Sequence, residues 1–160
     1  MTTLTLVRED LTDPAIAVFL EEHLQDMRAV SPPESKHALD LSGLRRPEIT
    51  FWTLRQDGRI AGCCALKQLD PFHGEIRSMR TAREFRRLGH ASRLLEHLLA
   101  EARRRGYRRL SLETGSMAFF APARALYLKF GFTPCGPFAG YREDPNSAFY
   151  TLTLGGDTRG

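Results

Sequence analysis

The stretch from Glu75 to Gly106 constrains the fold more than any other part of this chain. It reads as a strand, Glu75 to Thr81, then a basic turn, then a helix from about Leu88 to Arg105. Ala91, Leu94, Leu95, Leu98, Leu99 and Ala102 recur at helical spacing and give that helix one apolar face. Gly106 stands where a helix stops by taking a positive φ. A second strand, Arg109 to Glu113, follows at once. Strand, helix and strand in succession place the two strands parallel in one sheet, because the helix carries the chain back across it.

The rest of the chain supplies neighbours for that pair. Thr3 to Val7 reads as a first strand, and Asp13-Pro14 opens a helix as an N-cap followed by proline at the first helical position. Ile16, Phe19, Leu20, His23, Leu24 and Met27 continue it at helical spacing until Ser31-Pro32-Pro33-Glu34-Ser35 breaks it. A short second helix or turn is expected over His37 to Leu44. Ile49 to Arg55 and Ile60 to Leu69 form a hairpin about Asp57-Gly58, and the near-continuous apolar run of the return strand predicts burial on both faces. Ala121 to Phe130 is a helix ending at Gly131, and Phe132 to Phe138 and Ser147 to Leu154 read as closing strands. The expected order is β-α-α-β-β-β-α-β-α-β-β, a mixed, mostly antiparallel sheet with helices packed on its faces. Residues 1–154 are expected to form one domain, with 155–160 a disordered tail.

Composition removes several function classes. The chain has 160 residues, 42% of them hydrophobic and 26% charged, which suits a globular domain with a real core. It has no run of 18 apolar residues and no signal-peptide pattern in Met1 to Glu9, so a cytoplasmic protein without a membrane span is expected. Cys63, Cys64 and Cys135 match neither a disulfide framework nor a zinc spacing, and no metal is expected. Cys63 and Cys64 read as small core residues.

The net charge of +4 is unevenly placed. Arg103, Arg104, Arg105, Arg108 and Arg109 surround a helix C-terminus, where cations suit the helix dipole. Arg77, Arg80, Arg83, Arg86, Arg87 and Arg93 instead surround the turn at the helix N-terminus, where cations gain nothing from the dipole. An anionic ligand explains that cluster, since the N–H groups of a first helical turn and a basic glycine turn together hold a phosphate or pyrophosphate. Nucleic acid is disfavoured, because the basic residues lack interleaved aromatics and no helix-turn-helix or zinc pattern is present.

Two motifs sharpen the reading. Arg86-Arg87-Leu88-Gly89-His90-Ala91 is an R-x-x-G-x-A turn after a strand that carries Glu75 and ends in Met79-Arg80-Thr81. Downstream, Ala123 to Phe132 spells A-x-x-x-Y-x-K-x-G-F around Tyr127. Together with the element order over residues 3 to 154, these motifs resemble the GNAT superfamily of acetyl-coenzyme A-dependent N-acetyltransferases. The resemblance implies a six- to seven-stranded sheet whose central parallel strands splay, with helices on both faces. It implies that the turn, Arg86, Arg87, Leu88, Gly89, His90, Ala91 and Ser92, holds the coenzyme's pyrophosphate. His90 would be a solvated spacer giving only its amide. The edge at Met79, Arg80 and Thr81 would run beside the pantetheine arm. Tyr127 is then the acid that protonates the departing thiolate and Glu75 the general base, and no covalent enzyme intermediate is needed. The sequence departs from the family in placing Phe120 where many members have Asn, which implies an apolar wall beside the pantetheine or acyl group.

The acceptor side is thinner. Arg28, Glu34 and His37, in the segment after the first helix, and Arg77 and Glu113, on the splayed strands, are the candidates. Alternation along the strand puts Glu75, Arg77 and Met79 on one face, so an arginine beside the base could grip a carboxylate. The expected acceptor is a small amine bearing a carboxylate, such as an amino acid. A protein lysine acetyltransferase and a non-catalytic acetyl-coenzyme A sensor are the alternatives. A homodimer is expected by analogy.

Overall fold

The computed structural model describes residues 3–30, 41–82, 85 and 89–154, and every structural statement below concerns those residues. Seven strands form one sheet in the order β1-β2-β3-β4-β5-β7-β6. They are β1 (Leu4–Glu9), β2 (Ile49–Gln56), β3 (Arg59–Asp70), β4 (His73–Thr81), β5 (Arg109–Gly115), β6 (Thr133–Cys135) and β7 (Ser147–Thr153). The helices are α1 (Pro14–Val30), α2 (Leu41–Leu44), α3 (His90–Arg104) and α4 (Ala121–Lys129). Every neighbouring pair is antiparallel except β4 and β5, the pair that α3 connects.

Two apolar clusters sandwich the sheet. On one face Leu94, Leu95, Leu98, Leu99 and Ala102 of α3 and Tyr127 of α4 pack on Trp52, Leu54, Cys64, Leu66, Ile76, Leu110 and Leu112. On the other, Ile16, Phe19 and Leu20 of α1 and Leu44 of α2 pack on Phe51, Ala61, Cys63 and Ala65. Each fully buried Leu or Phe stabilises the fold by about 1.5–3 kcal/mol relative to exposure. Covering on both faces explains why Ala61 to Leu66 of β3 are all buried, as the apolar run predicts. Cys63 and Cys64 lie inside this layer, and burial pushes the Cys63 thiol up to about 12. Asp57 and Gly58 close the β2–β3 hairpin with φ of 53° and 85°. No described helix is long and apolar enough to cross a membrane.

One boundary differs in a way that matters. The penultimate strand is expected over Phe132 to Phe138, but β6 spans only Thr133–Cys135. Phe132 is core instead, 1% exposed. Beyond Cys135 the chain meets Gly136-Pro137, where proline has no N–H to give a ladder. It leaves the edge and turns back over the sheet through Phe138 and Tyr141.

Candidate active site

The parallel ladder between β4 and β5 has four rungs, from His73↔Arg109 to Ile76↔Leu112, and then stops. Past that point β4 stays with β3 as far as Thr81, opposite Gly62. β5 stays with β7 as far as Gly115, opposite Ser147. Two strands held by different partners therefore part, and a slot opens through the sheet with Glu75 and Ile76 at its closed end. This is the splay that the resemblance implies.

A bulge in β4 sits beside the slot. Arg77 lies opposite Ala65 and Arg80 opposite Cys63, so β4 carries one residue more than β3 between these pairs. Ser78 absorbs it with φ of 53°, and its carbonyl accepts a hydrogen bond from the Cys63 thiol at 3.0 Å. The extra residue reverses the alternation. Met79 packs into the α3-side cluster, while Arg80 lies 5.5 Å over the Phe19 ring of α1. The expectation that Glu75, Arg77 and Met79 share a face is thus corrected, because strict period-two spacing fails at a bulge. Arg80 is 8% exposed beneath α1.

Glu75 is 2% exposed at the slot's closed end. The Tyr141 hydroxyl donates to its Oε2 at 2.6 Å, and the Arg77 guanidinium lies 3.8 Å from its Oε1. Across the slot Glu113 accepts a hydrogen bond from the Ser147 hydroxyl at 2.6 Å. Below them His73 Nε2 meets Ser111 Oγ at 2.7 Å, and Ser111 meets Thr151 Oγ1 at 2.9 Å, which ties β4 to β5 and β7 where the ladder is intact. Burial holds the His73 imidazole below its ordinary value, aided by the Arg109 charge.

Tyr127 lies on the opposite face. It is 6% exposed, with its ring centroid 5.7 Å from Phe132 and 6.4 Å from Tyr150. Burial holds its phenol well above the ordinary range, so the group stays neutral and keeps its hydroxyl proton. The residues expected as base and acid thus meet the same strand pair from its two sides.

Gly89 begins α3 as its N-cap with φ of 82°, and a Cβ there would meet nothing within 4 Å. The first turn of α3 holds no acidic side chain, and Ala91 and Ser92 are half-buried in it. These features leave an open, electropositive helix terminus at the end of the β4 connection, suited to an anion. His90 is not the solvated spacer expected. It is 4% exposed, with Nε2 2.9 Å from Gln56 Oε1 and its ring 6.0 Å from Phe85. Phe120 ends a 3-10 turn before α4 and lies so close to β5 that a Cβ on Gly115 would fall 2.1 Å from its ring. Arg124 of α4 ties this corner by donating to the Gly115 and Met117 carbonyls at 2.7 and 2.9 Å.

The second arginine cluster is structural. Arg104 and Arg105 pair with Glu101, Arg105 donates to Thr50 Oγ1 at 2.9 Å, and Arg108 lies 5.0 Å over Phe72. Of the other candidates, Glu34, His37, Arg86, Arg87 and Leu88, the side chain of Arg28, and the tail 155–160 lie outside the described residues. Among the described residues no group of three His, Cys, Asp or Glu is placed to hold a metal ion.

Sequence reading missed Tyr141 and its supports. The Tyr141 N–H donates to the Phe138 carbonyl at 2.9 Å across Ala139 and Gly140, both at positive φ (49° and 86°). Its ring packs 5.2 Å from Phe138 and 5.6 Å from Phe149. The spacing Phe138-Ala139-Gly140-Tyr141 marks a tight turn between aromatics, but nothing local to it points to Glu75.

Comparison with known proteins agrees with this geometry. The model of the acetyltransferase (GNAT) family matches residues 7–132. The uncharacterized N-acetyltransferase YsnE of Bacillus subtilis is 56% identical over 91% of this chain and 97% of its own length. A protein of Azospirillum brasilense named IAA acetyltransferase is 37% identical over 96% of this chain and 100% of its own. A GNAT acetyltransferase of Elizabethkingia anophelis, solved with acetyl-CoA bound, superposes with a TM-score of 0.64 at 16% identity, covering 94% and 97% of the two chains.

Proposed function

This chain belongs to the GNAT acetyltransferase family, and on that premise we propose that it acetylates the primary amine of a small molecule that also carries a carboxylate. The observation that carries this reading is the split between β4 and β5, with a buried carboxylate on one face and a buried tyrosine on the other. Acetyl-coenzyme A supplies a thioester carbonyl that an amine can attack directly.

The residues present fit that co-substrate. The Gly89 terminus of α3 would hold its pyrophosphate through backbone N–H groups, with Ala91 and Ser92 in the same turn. The edge of β4 from Met79 to Thr81, which no rung joins to β5, offers backbone groups to the pantetheine arm. Phe120 walls the β5 side.

The acceptor approaches the face that carries Glu75. An alkylamine with a pKa of about 10 is mostly protonated at neutral pH, so it must lose a proton before it attacks. Glu75 receives that proton. Backbone N–H groups on the unpaired edge of β4 beside the Ser78 bulge would stabilise the oxyanion as it forms. Tyr127, kept neutral by burial, protonates the thiolate on the far side. Arg77, with its side chain 14% exposed beside Glu75, would give a bidentate grip on the acceptor's carboxylate. Glu113 faces it across the slot and attracts the acceptor's ammonium.

The test is thiol release from acetyl-coenzyme A against amino acids, polyamines, aminoglycosides and a lysine peptide, run beside Tyr127→Phe. Turnover on carboxylated amines, with kcat reduced about 10²-fold or more in the variant, is expected. Turnover on the lysine peptide alone would replace the small acceptor with a protein. Tight coenzyme binding without any turnover would make the protein a sensor.

A further inference from the structure

We propose that Tyr141, rather than Glu75 itself, meets the acceptor amine and relays its proton inward to Glu75. The inference rests on the acetyl-transfer reading above and changes which atom of the protein touches the nitrogen.

Access is the first argument. Glu75 is 2% exposed, and both its oxygens are flanked, Oε2 by the Tyr141 hydroxyl at 2.6 Å and Oε1 by the Arg77 guanidinium at 3.8 Å. Tyr141 is only half-buried. An amine arriving on this face reaches the phenol before the carboxylate.

Valence is the second. A tyrosine hydroxyl has one proton to donate and lone pairs with which to accept. Here the proton points at Glu75, so it is through its oxygen, as an acceptor, that the hydroxyl would meet an N–H of the incoming amine. Burial and the neighbouring Glu75 charge keep the phenol protonated, so it does not act as a base alone. It passes a proton on only because a carboxylate waits behind it.

Construction is the third. The hydroxyl is aimed by a turn with two residues at positive φ and by ring contacts to Phe138 and Phe149. Such an arrangement holds an atom at fixed distance better than a loose surface side chain does.

The step balances. The ammonium gives a proton to the Tyr141 oxygen as the phenolic proton passes to Glu75 Oε2. The products are a neutral amine, a neutral tyrosine and a protonated Glu75. The freed nitrogen lone pair forms the C–N bond, and the C–S bond then breaks. The nitrogen's second proton goes to the thiolate through Tyr127, and Glu75 returns its own to solvent.

Three variants decide it: Tyr141→Phe, which keeps the ring in its cluster, Glu75→Gln, which keeps a side chain that can accept from Tyr141, and the double variant. Steady-state rates are measured with the best amine of the panel, and coenzyme binding is measured separately. Each single variant should lose about 10²–10⁴-fold in kcat with acetyl-coenzyme A affinity unchanged. The double variant should lose no more than the worse single, because both residues serve one proton path. A Tyr141→Phe protein that keeps wild-type kcat and only raises the acceptor KM would overturn the relay and leave Tyr141 a wall. Losses that multiply in the double variant would overturn it too. Should Tyr141→Phe fail to fold, the wild-type proton inventory of kcat/KM decides. A relay moves two protons and gives a curved plot, and a straight line sinks it. A wild-type protein inert towards every amine takes the acetyl-transfer reading down as well, which separates the two failures.

Discussion

Arg77 is only loosely tied to Glu75. It lies 3.8 Å from Glu75, and its side chain keeps 14% exposure. A contact at that distance is too long for a strong hydrogen bond, so the guanidinium has donors left for a ligand. Arg77→Ala should raise the acceptor KM about 10- to 100-fold, the value of a charge-assisted contact of about 1.5–3 kcal/mol. The KM for acetyl-coenzyme A should stay within twofold, and steady-state kinetics with each substrate varied in turn checks both. An unchanged acceptor KM would end the case for a carboxylate on the acceptor. Glu75, Arg77 and Tyr127 could be picked from the sequence because each sits in a pattern of its own segment. Tyr141 could not, since its partner is 66 residues away and only the folded connection after β6 joins them. His90 was misjudged for a related reason. Its position in a glycine turn argues for solvent, whereas Gln56, at the end of a distant hairpin strand, supplies the contact that buries it.

At the scale of elements, the ends of β5 and α3 set the geometry of the site, and both depend on glycine. Gly115 lets Phe120 lie flat on the end of β5. Gly115→Ala forces that ring away and should destabilise the protein by about 1–3 kcal/mol, read by denaturant unfolding. Phe120→Ala in the same chain should add less than its own separate cost, because the clash is then gone. Gly89 is different, since a Cβ there meets nothing but the backbone has φ of 82°. Gly89→Val should cost about 1–2 kcal/mol in backbone strain and raise the acetyl-coenzyme A KM, with the acceptor KM unaffected. Strand and helix identities were legible because apolar spacing and turn residues are local signals, and the order of elements follows the sequence reading throughout. The Ser78 bulge was not. Its φ of 53° is unusual for serine, and it is set by how β3 and β4 register against each other. No alternation of residue types announces it, and so the facing of Met79 and Arg80 was read backwards.

At the scale of the whole molecule, three histidines lie in places that disfavour charge. Burial lowers His73, His90 and His97 from their ordinary 6.5, and the buried Nε2 of His97 has no hydrogen-bond partner where its ring meets Trp52 edge-on. In the unfolded chain each takes up a proton near pH 6.5, while in the fold each does so only at lower pH. The unfolded state therefore binds more protons over that window, and stability falls as pH drops through it. Glu101, held down to about 2 by Arg104 and Arg105, adds a loss of the same sign only below its ordinary 4.5. The melting temperature should decline from pH 7 to pH 5, and His97→Gln should flatten that decline. A wild-type melting temperature that is level over the same range would contradict the assignment. The split sheet has a larger consequence. On the acetyl-transfer reading it would act as a septum with one reactant on each side, since Glu75 and Tyr141 lie on one face of the sheet and Tyr127 on the other. Free coenzyme and acetylated product would then depart by separate doors. Coenzyme A should compete with acetyl-coenzyme A for its door while leaving the acceptor's entrance open.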